Sequence, residues 1–184
     1  MTTGEIHSQR LSLRPIGLDD IEALHSLWID EPVRRFLWDG KIVPLDRTHE
    51  IVETNRVLFD EDGFGIWGIR ELGSQELIGF AGYWHFREPP SLELLFGVAP
   101  GHWNRGIATE AGLRLICYAF EELGFLSIDA STDVDNTASI RVAEKLGMMR
   151  QRRDVVDGLD TVFYRMRRQD WETRNATGST QVRA

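Results

Sequence analysis

The sequence predicts a mixed α/β domain, a mostly antiparallel twisted sheet of about seven strands flanked by about four helices. Three observations predict it. Three strand-like runs follow one another across turns short enough to join antiparallel neighbours. A strongly amphipathic helix lies between two strand runs, as in a crossover unit. An Asp-Gly dipeptide joins the last two runs, as in a tight hairpin.

The elements follow in order. RLSLRPI, residues 10–16, alternates polar and apolar side chains as a half-buried strand does. A helix capped by Asp19 follows, with Ile21, Leu24, Leu27 and Trp28 on one face and Pro32 near its stop. RRFLWDGKIVP, with its aromatic residues, charges, Gly40 and Pro44, reads as an irregular connection. A second helix runs from Leu45 or Asp46 to Asp60, with Ile51, Val52, Leu58 and Phe59 as apolar contacts. Residues 64–71, 76–86 and 91–98 form the meander, broken at Gly73-Ser74 and Pro89-Pro90. From Ala108 to Leu123, apolar residues recur at helical spacing while Glu110, Arg114 and Glu121 fall opposite, and Gly124 ends the helix. FLSIDAST (125–132) is a strand, and a helix from Asn136 to Leu146 ends at Gly147. MMRQRRDVV and TVFYRMRR flank Asp157-Gly158. Residues 1–171 read as a single domain, and the tail 172–184, almost without large apolar residues, is expected to be disordered.

Composition narrows the function. At 184 residues and 42% hydrophobic, the chain can bury one sizeable core without a second domain. A net charge of -8 argues against a nucleic-acid or anionic-membrane surface and suits an amine-bearing partner. Cys117 is the only cysteine, which excludes an internal disulfide; with no signal or spanning segment in view, the expectation is a cytoplasmic protein. Cys117 sits among Ile116, Ala119 and Phe120 as a packed thiol. The five histidines lack metal-site spacing, so no metal is expected.

WNRGIATEAG, residues 103–112, is the chemically distinctive stretch. A helix start exposes unpaired N–H groups and the positive end of the dipole, and anions bind there. Gly106 admits a phosphate to the backbone, Ala108 adds only a methyl group, and Arg105 supplies charge. The spacing is neither GxxxxGK[ST] nor GxGxxG. Alone, the stretch could equally be a turn with a small residue for helix packing.

A strand ending in FGVAP, then WNRGIATEAG, the amphipathic helix, a second strand and NTASIRVAEKLGM together resemble the GCN5-related N-acetyltransferase (GNAT) superfamily. They look most like its RimJ/RimL-type branch, which acetylates ribosomal-protein N-termini. The resemblance runs from RLSLRP to about Arg167. It implies a splayed parallel strand pair at an acetyl-CoA site, with the pyrophosphate held by backbone amides of Asn104, Arg105, Gly106, Ile107, Ala108 and Thr109. Trp103 stands where the superfamily often has Gln or Arg, as in that branch. The resemblance also implies that the pantetheine arm pairs with Phe96, Gly97 and Val98. Gly97 suits a close approach by ligand, a bulge, or both at once. Asn136 matches the family's cofactor asparagine but could also cap the last helix. Arg141 and Lys145 share one helix face, near enough for a phosphate or simply solvated.

Acetyl transfer needs a neutral amine and help for the developing oxyanion, for which the resemblance implies an N–H near Val98. Glu93 is the candidate base, or else a carboxylate that orients a cationic substrate. The tyrosine that many relatives use to protonate the thiolate is Ala143 by alignment. Ser139 is the remaining candidate, as thiolate stabiliser or as helix-start packing. A thiol of pKa about 8.5 leaves with little help. Phe36, Trp38, Trp84 and His85 could line an acceptor groove, and Asp39 and Glu88 could orient the amine. The expected activity is acetyl-CoA-dependent N-acetylation of a peptide or protein N-terminal α-amine or a small amine, by a monomer or homodimer. The alternatives are a non-catalytic acyl-CoA-binding domain or a plain structural domain.

Overall fold

In a computed structural model, which describes residues 4–86 and 91–177, one eight-stranded sheet carries the molecule. Its strands are β1 (Ile6–His7), β2 (Leu11–Pro15), β3 (Ile66–Glu71), β4 (Gly79–Phe86), β5 (Ser91–Val98), β6 (Ser127–Asp133), β7 (Met149–Val156) and β8 (Leu159–Arg167). The helices are α1 (Ile21–Ile29), α2 (Glu31–Leu37), α3 (Leu45–Asp62), α4 (Ile107–Glu121), α5 (Thr137–Leu146) and α6 (Arg168–Thr177). The strand order is β1-β2-β3-β4-β5-β6-β8-β7, with β5 and β6 the parallel neighbours and the other pairs antiparallel.

The sheet separates two apolar clusters, and strand alternation decides which residues enter each. Trp67, Ile69, Leu94, Val98, Ile128 and Ala130 face α4 and α5, meeting Leu115, Ile116, Ala119 and Leu146. Ile66 and Phe80 face the other way, against Leu24, Leu27 and Trp28 of α1, Val33 of α2 and Ile51 and Val52 of α3. Buried Asn55 of α3 stitches this layer to the sheet. Its Nδ2 donates to the carbonyls of Ile16 (3.2 Å) and Ile66 (3.0 Å), and its Oδ1 accepts the Ile66 N–H at 2.6 Å.

Four expectations change. Pro32 marks the end of α1 but also opens α2, where the irregular connection was expected; a proline fits the first turn because that N–H has no intrahelical partner. Asp19 lies in a 3-10 turn, and the residue at the start of α1 is Asp20, which accepts the Gly17 N–H at 3.2 Å and pairs with Arg70. The short β1 pairs with β2. The expected tail begins inside α6, because Trp171 packs against Phe120 at 5.3 Å and Arg174 donates to the Gly147 carbonyl at 2.7 Å. Residues 178–184, Glu88 and the Pro89-Pro90 turn lie outside the described residues. The hairpin at Asp157-Gly158 has positive φ at both residues (51° and 83°), as a type I′ turn requires.

Candidate active site

β5 pairs with β4 along its whole length, but its parallel ladder with β6 is confined to Glu93 opposite Asp129. Beyond that point the two strands splay. The Ala99 N–H bonds to the Ile78 carbonyl at 2.9 Å, and antiparallel alternation then turns the backbone groups of Leu94, Phe96 and Val98 away from β4, toward the splay. The Val98 carbonyl accepts the Trp103 indole N–H at 2.6 Å. The Val98 N–H therefore faces the opening, as oxyanion stabilisation would require. Gly97 makes no bulge, and its lack of a side chain has a packing reason. The β4–β5 register is unbroken, and a Cβ on Gly97 would lie 2.5 Å from the Phe80 ring.

After β5, Pro100–His102 makes one 3-10 turn and the chain enters α4 through Asn104 (φ 60°), Arg105 and Gly106 (φ 78°). Positive φ at Asn104 and at Gly106, on either side of Arg105, makes the loop curve sharply just before the helix start. No side chain caps α4 at Gly106, so the N–H groups of Ile107, Ala108 and Thr109 at its start have no side-chain cap. That uncapped turn next to a sharply curved loop fits a pyrophosphate. The glycine is demanded by its φ rather than by crowding, because a Cβ there would meet only Arg10 Nη2, at 3.7 Å. Arg105 turns from the cradle to Glu71, with 2.6 Å between Nη2 and Oε1.

Glu110, in the first turn of α4, accepts from Ser8 Oγ (2.7 Å), the Arg10 N–H (2.8 Å) and Arg10 Nε (2.7 Å). Burial pushes its carboxyl up, but the hydrogen bonds from Ser8 and Arg10 outweigh that and hold it below the ordinary glutamate value.

Glu93 is buried, 3% exposed, and its Oε2 accepts the Ser131 hydroxyl at 2.6 Å across the mouth of the splay. A rim carboxylate would be open to solvent, so Glu93 is an interior group. Asp133 lies two residues beyond Ser131 on the same face of β6. Burial, and then the carboxylates of Asp39 and Asp135, push Asp133 up. The charge of Asp39, on the loop after α2, thus reaches Asp133. Neither Ser131 nor Asp133 stood out in the sequence, because an isolated Ser or Asp in a strand carries no local signal.

The four aromatic candidates do not share one groove. Trp84 pairs with Glu93 in register and, like Trp38, packs against the cluster on the α1–α2 side. His85, the next residue of the same strand, faces away and sits 6.3 Å from the Phe64 ring. Phe36 lies on α2 beneath the Arg35 guanidinium, 5.0 Å away. Trp38 meets Trp28 edge-on at 5.4 Å, and the buried atoms Trp28 Nε1, Trp38 Nε1 and Asp30 Oδ1 have no hydrogen-bond partner among the described residues.

Asn136 accepts the Ser139 N–H at 3.1 Å and caps α5. Replacing it by Ala is expected to cost about 1 kcal/mol of stability, measured by denaturant unfolding; an accompanying loss of acetyl-CoA affinity would add the cofactor role. Ser139 is half-buried in that first turn, and Ala143 is buried against α4, so this helix presents no tyrosine hydroxyl. Arg141 and Lys145 are exposed. Cys117 is half-buried, and burial followed by the Glu121 charge pushes its thiol up, away from nucleophilic use. No group of residues suited to hold a metal occurs among the described residues, and no helix there is long and apolar enough to cross a membrane.

A family model described as the acetyltransferase (GNAT) domain matches residues 10–149. The chain is 28% identical over 147 residues to the uncharacterized N-acetyltransferase YoaA of Bacillus subtilis strain 168, across 79% of this chain and 83% of that protein. It is 28% identical over 163 residues to the FsC-acetyl coenzyme A-N(2)-transacetylase of Aspergillus fumigatus, across 78% of this chain and 64% of that one. Among solved structures, an acetyltransferase from Agrobacterium tumefaciens superposes with a TM-score of 0.74 at 27% identity, covering 88% of this chain and 93% of that chain. The ribosomal alpha-N-protein acetyltransferase RimL, solved with coenzyme A, superposes with a TM-score of 0.73 at 18% identity, over 89% and 97% of the chains, a likeness of fold. The splayed sheet, the cradle at α4 and these matches lead to one conclusion: the chain belongs to the GNAT acetyltransferase family.

Proposed function

We propose that this acetyltransferase moves the acetyl group of acetyl-CoA onto the primary amine of a peptide or protein N-terminus, or of a small amine, by direct attack in a ternary complex. The observation that carries the reading is buried Glu93 at the apex of the splay, where the parallel ladder of β5 and β6 ends.

When bound, acetyl-CoA supplies a thioester carbonyl and a thiolate leaving group. The amides at the start of α4 would hold its pyrophosphate, and the backbone of Phe96 and Val98 its pantetheine arm. Asp39 and Asp133 draw in the ammonium form of the acceptor. Glu93, oriented by the Ser131 hydroxyl, takes the ammonium proton directly or through water. The Val98 N–H stabilises the oxyanion, and the Ser139 hydroxyl the departing thiolate. With Ala143 in place of a tyrosine, no strong acid is at hand, and a thiolate needs little protonation to leave.

The RimJ/RimL-like resemblance favours an acceptor with a carbonyl oxygen near its amine, which a peptide N-terminus has and an alkylamine lacks. The single half-buried Cys117 accords with a cytoplasmic setting. The test incubates the protein and acetyl-CoA with matched peptides, aminoacyl amides and alkylamines and follows acetylation by mass spectrometry. Peptides and amides are expected to outpace alkylamines of equal length, and equal rates would remove the carbonyl requirement. No turnover of any amine, with acetyl-CoA bound, would favour a non-catalytic acyl-CoA-binding domain.

A further inference from the structure

An acidic residue in the first turn of a helix that is to hold a pyrophosphate is a liability. Glu110 is such a residue, one turn into α4, its own N–H bonded to the Gly106 carbonyl at 2.9 Å. Its carboxylate is met there by a side chain from far along the chain. Arg10 Nη2 lies 2.6 Å from Glu110 Oε2 and 3.2 Å from the Arg105 carbonyl, so one guanidinium nitrogen spans the carboxylate and the cradle loop. The same nitrogen is the nearest atom to where a Cβ on Gly106 would stand. Arg10 Nε donates to the same carboxylate oxygen at 2.7 Å.

Glu110 does not depend on Arg10 for its position. Ser8 Oγ and the Arg10 backbone N–H hold Oε1 whatever side chain residue 10 carries. Without the guanidinium the carboxylate would remain in place, unneutralised, facing an incoming diphosphate.

We propose that Arg10 is a positioning residue of the acetyl-CoA cradle that acts through Glu110, cancelling the charge of a carboxylate that would otherwise oppose the diphosphate. The proposal rests on the acetyl-CoA reading of that loop. It makes Arg10, the residue before β2, part of the cofactor site, although it lies almost a hundred residues from α4 in sequence.

The test is calorimetric titration of coenzyme A into the parent, Arg10→Gln, Arg10→Lys and the double variant Arg10→Gln/Glu110→Gln, with a thermal melt of each without ligand. Arg10→Gln is expected to weaken binding about tenfold, ~1.4 kcal/mol. Arg10→Lys, which keeps the charge, should hold most of the affinity, and the double variant should regain it even if both variants melt lower. In turnover, KM for acetyl-CoA rises while kcat at saturation and KM for the acceptor stay put. Parent-like affinity in Arg10→Gln would overturn the proposal. A double variant as weak as Arg10→Gln would also overturn it, because the loss would then not come from the exposed charge of Glu110. A folded parent that binds no coenzyme A would remove the cofactor reading itself, and this proposal with it.

Discussion

Replacing Glu93 by Gln is expected to lower kcat by about 10²–10⁴-fold, the range for loss of a general base, with acetyl-CoA affinity unchanged. The substitution isolates the chemistry because glutamine has the same shape and its amide can still hydrogen-bond the Ser131 hydroxyl, preserving the link between β5 and β6. What it cannot do is accept the ammonium proton. Steady-state kinetics over a pH series, with calorimetry for the cofactor, separates the roles open to Glu93. A base loses kcat across the series. A carboxylate that merely orients the amine raises the acceptor KM and leaves kcat near the parent value. If neither constant moves, Glu93 is only a strap across the splay and the base must be sought among Asp39 and Asp133.

Replacing Gly106 by Glu should weaken acetyl-CoA binding by 100-fold or more, ~2.7 kcal/mol, in a protein that still folds. Two effects combine. A side chain at φ 78° is strained by about 1–2 kcal/mol, and a carboxylate there opposes the diphosphate at the point where the uncapped amides of α4 would hold it. Folding should survive because the position is exposed and the added Cβ meets only the end of a flexible arginine. Gly106→Ala carries the backbone strain without the charge and should lose only a few-fold. Calorimetry and thermal melts on both variants divide strain from electrostatics. Near-parent binding by a folded Gly106→Glu variant would place the pyrophosphate elsewhere and reduce the WNRGIATEAG stretch to helix packing.

Much of the architecture was legible because its causes are local. The alternation in RLSLRPI, the helical spacing from Ala108 to Leu123 and the Asp-Gly turn each encode one element within a few residues, and β2, α4 and the β7–β8 hairpin followed. The glycine-led, uncapped start of α4 was legible for the same reason, since a short run of sequence specifies it. α2 was missed because Pro32 is a stop for one helix and a permitted first-turn residue for the next, a distinction that pattern alone does not contain.

By itself, then, the sequence determined the mixed sheet, the glycine-led start of α4, and the family. The tertiary structure alone decided which side chains meet. It placed Ser131 on Glu93, brought Asp39 toward Asp133, turned His85 away from Trp84, gave Gly97 to the Phe80 ring, and set Arg10 against Glu110. The physical reason is that a backbone element depends on neighbours within a turn or a strand. A carboxylate's partner depends on the register between strands and on how helices pack over them, and those are settled by residues tens of positions apart.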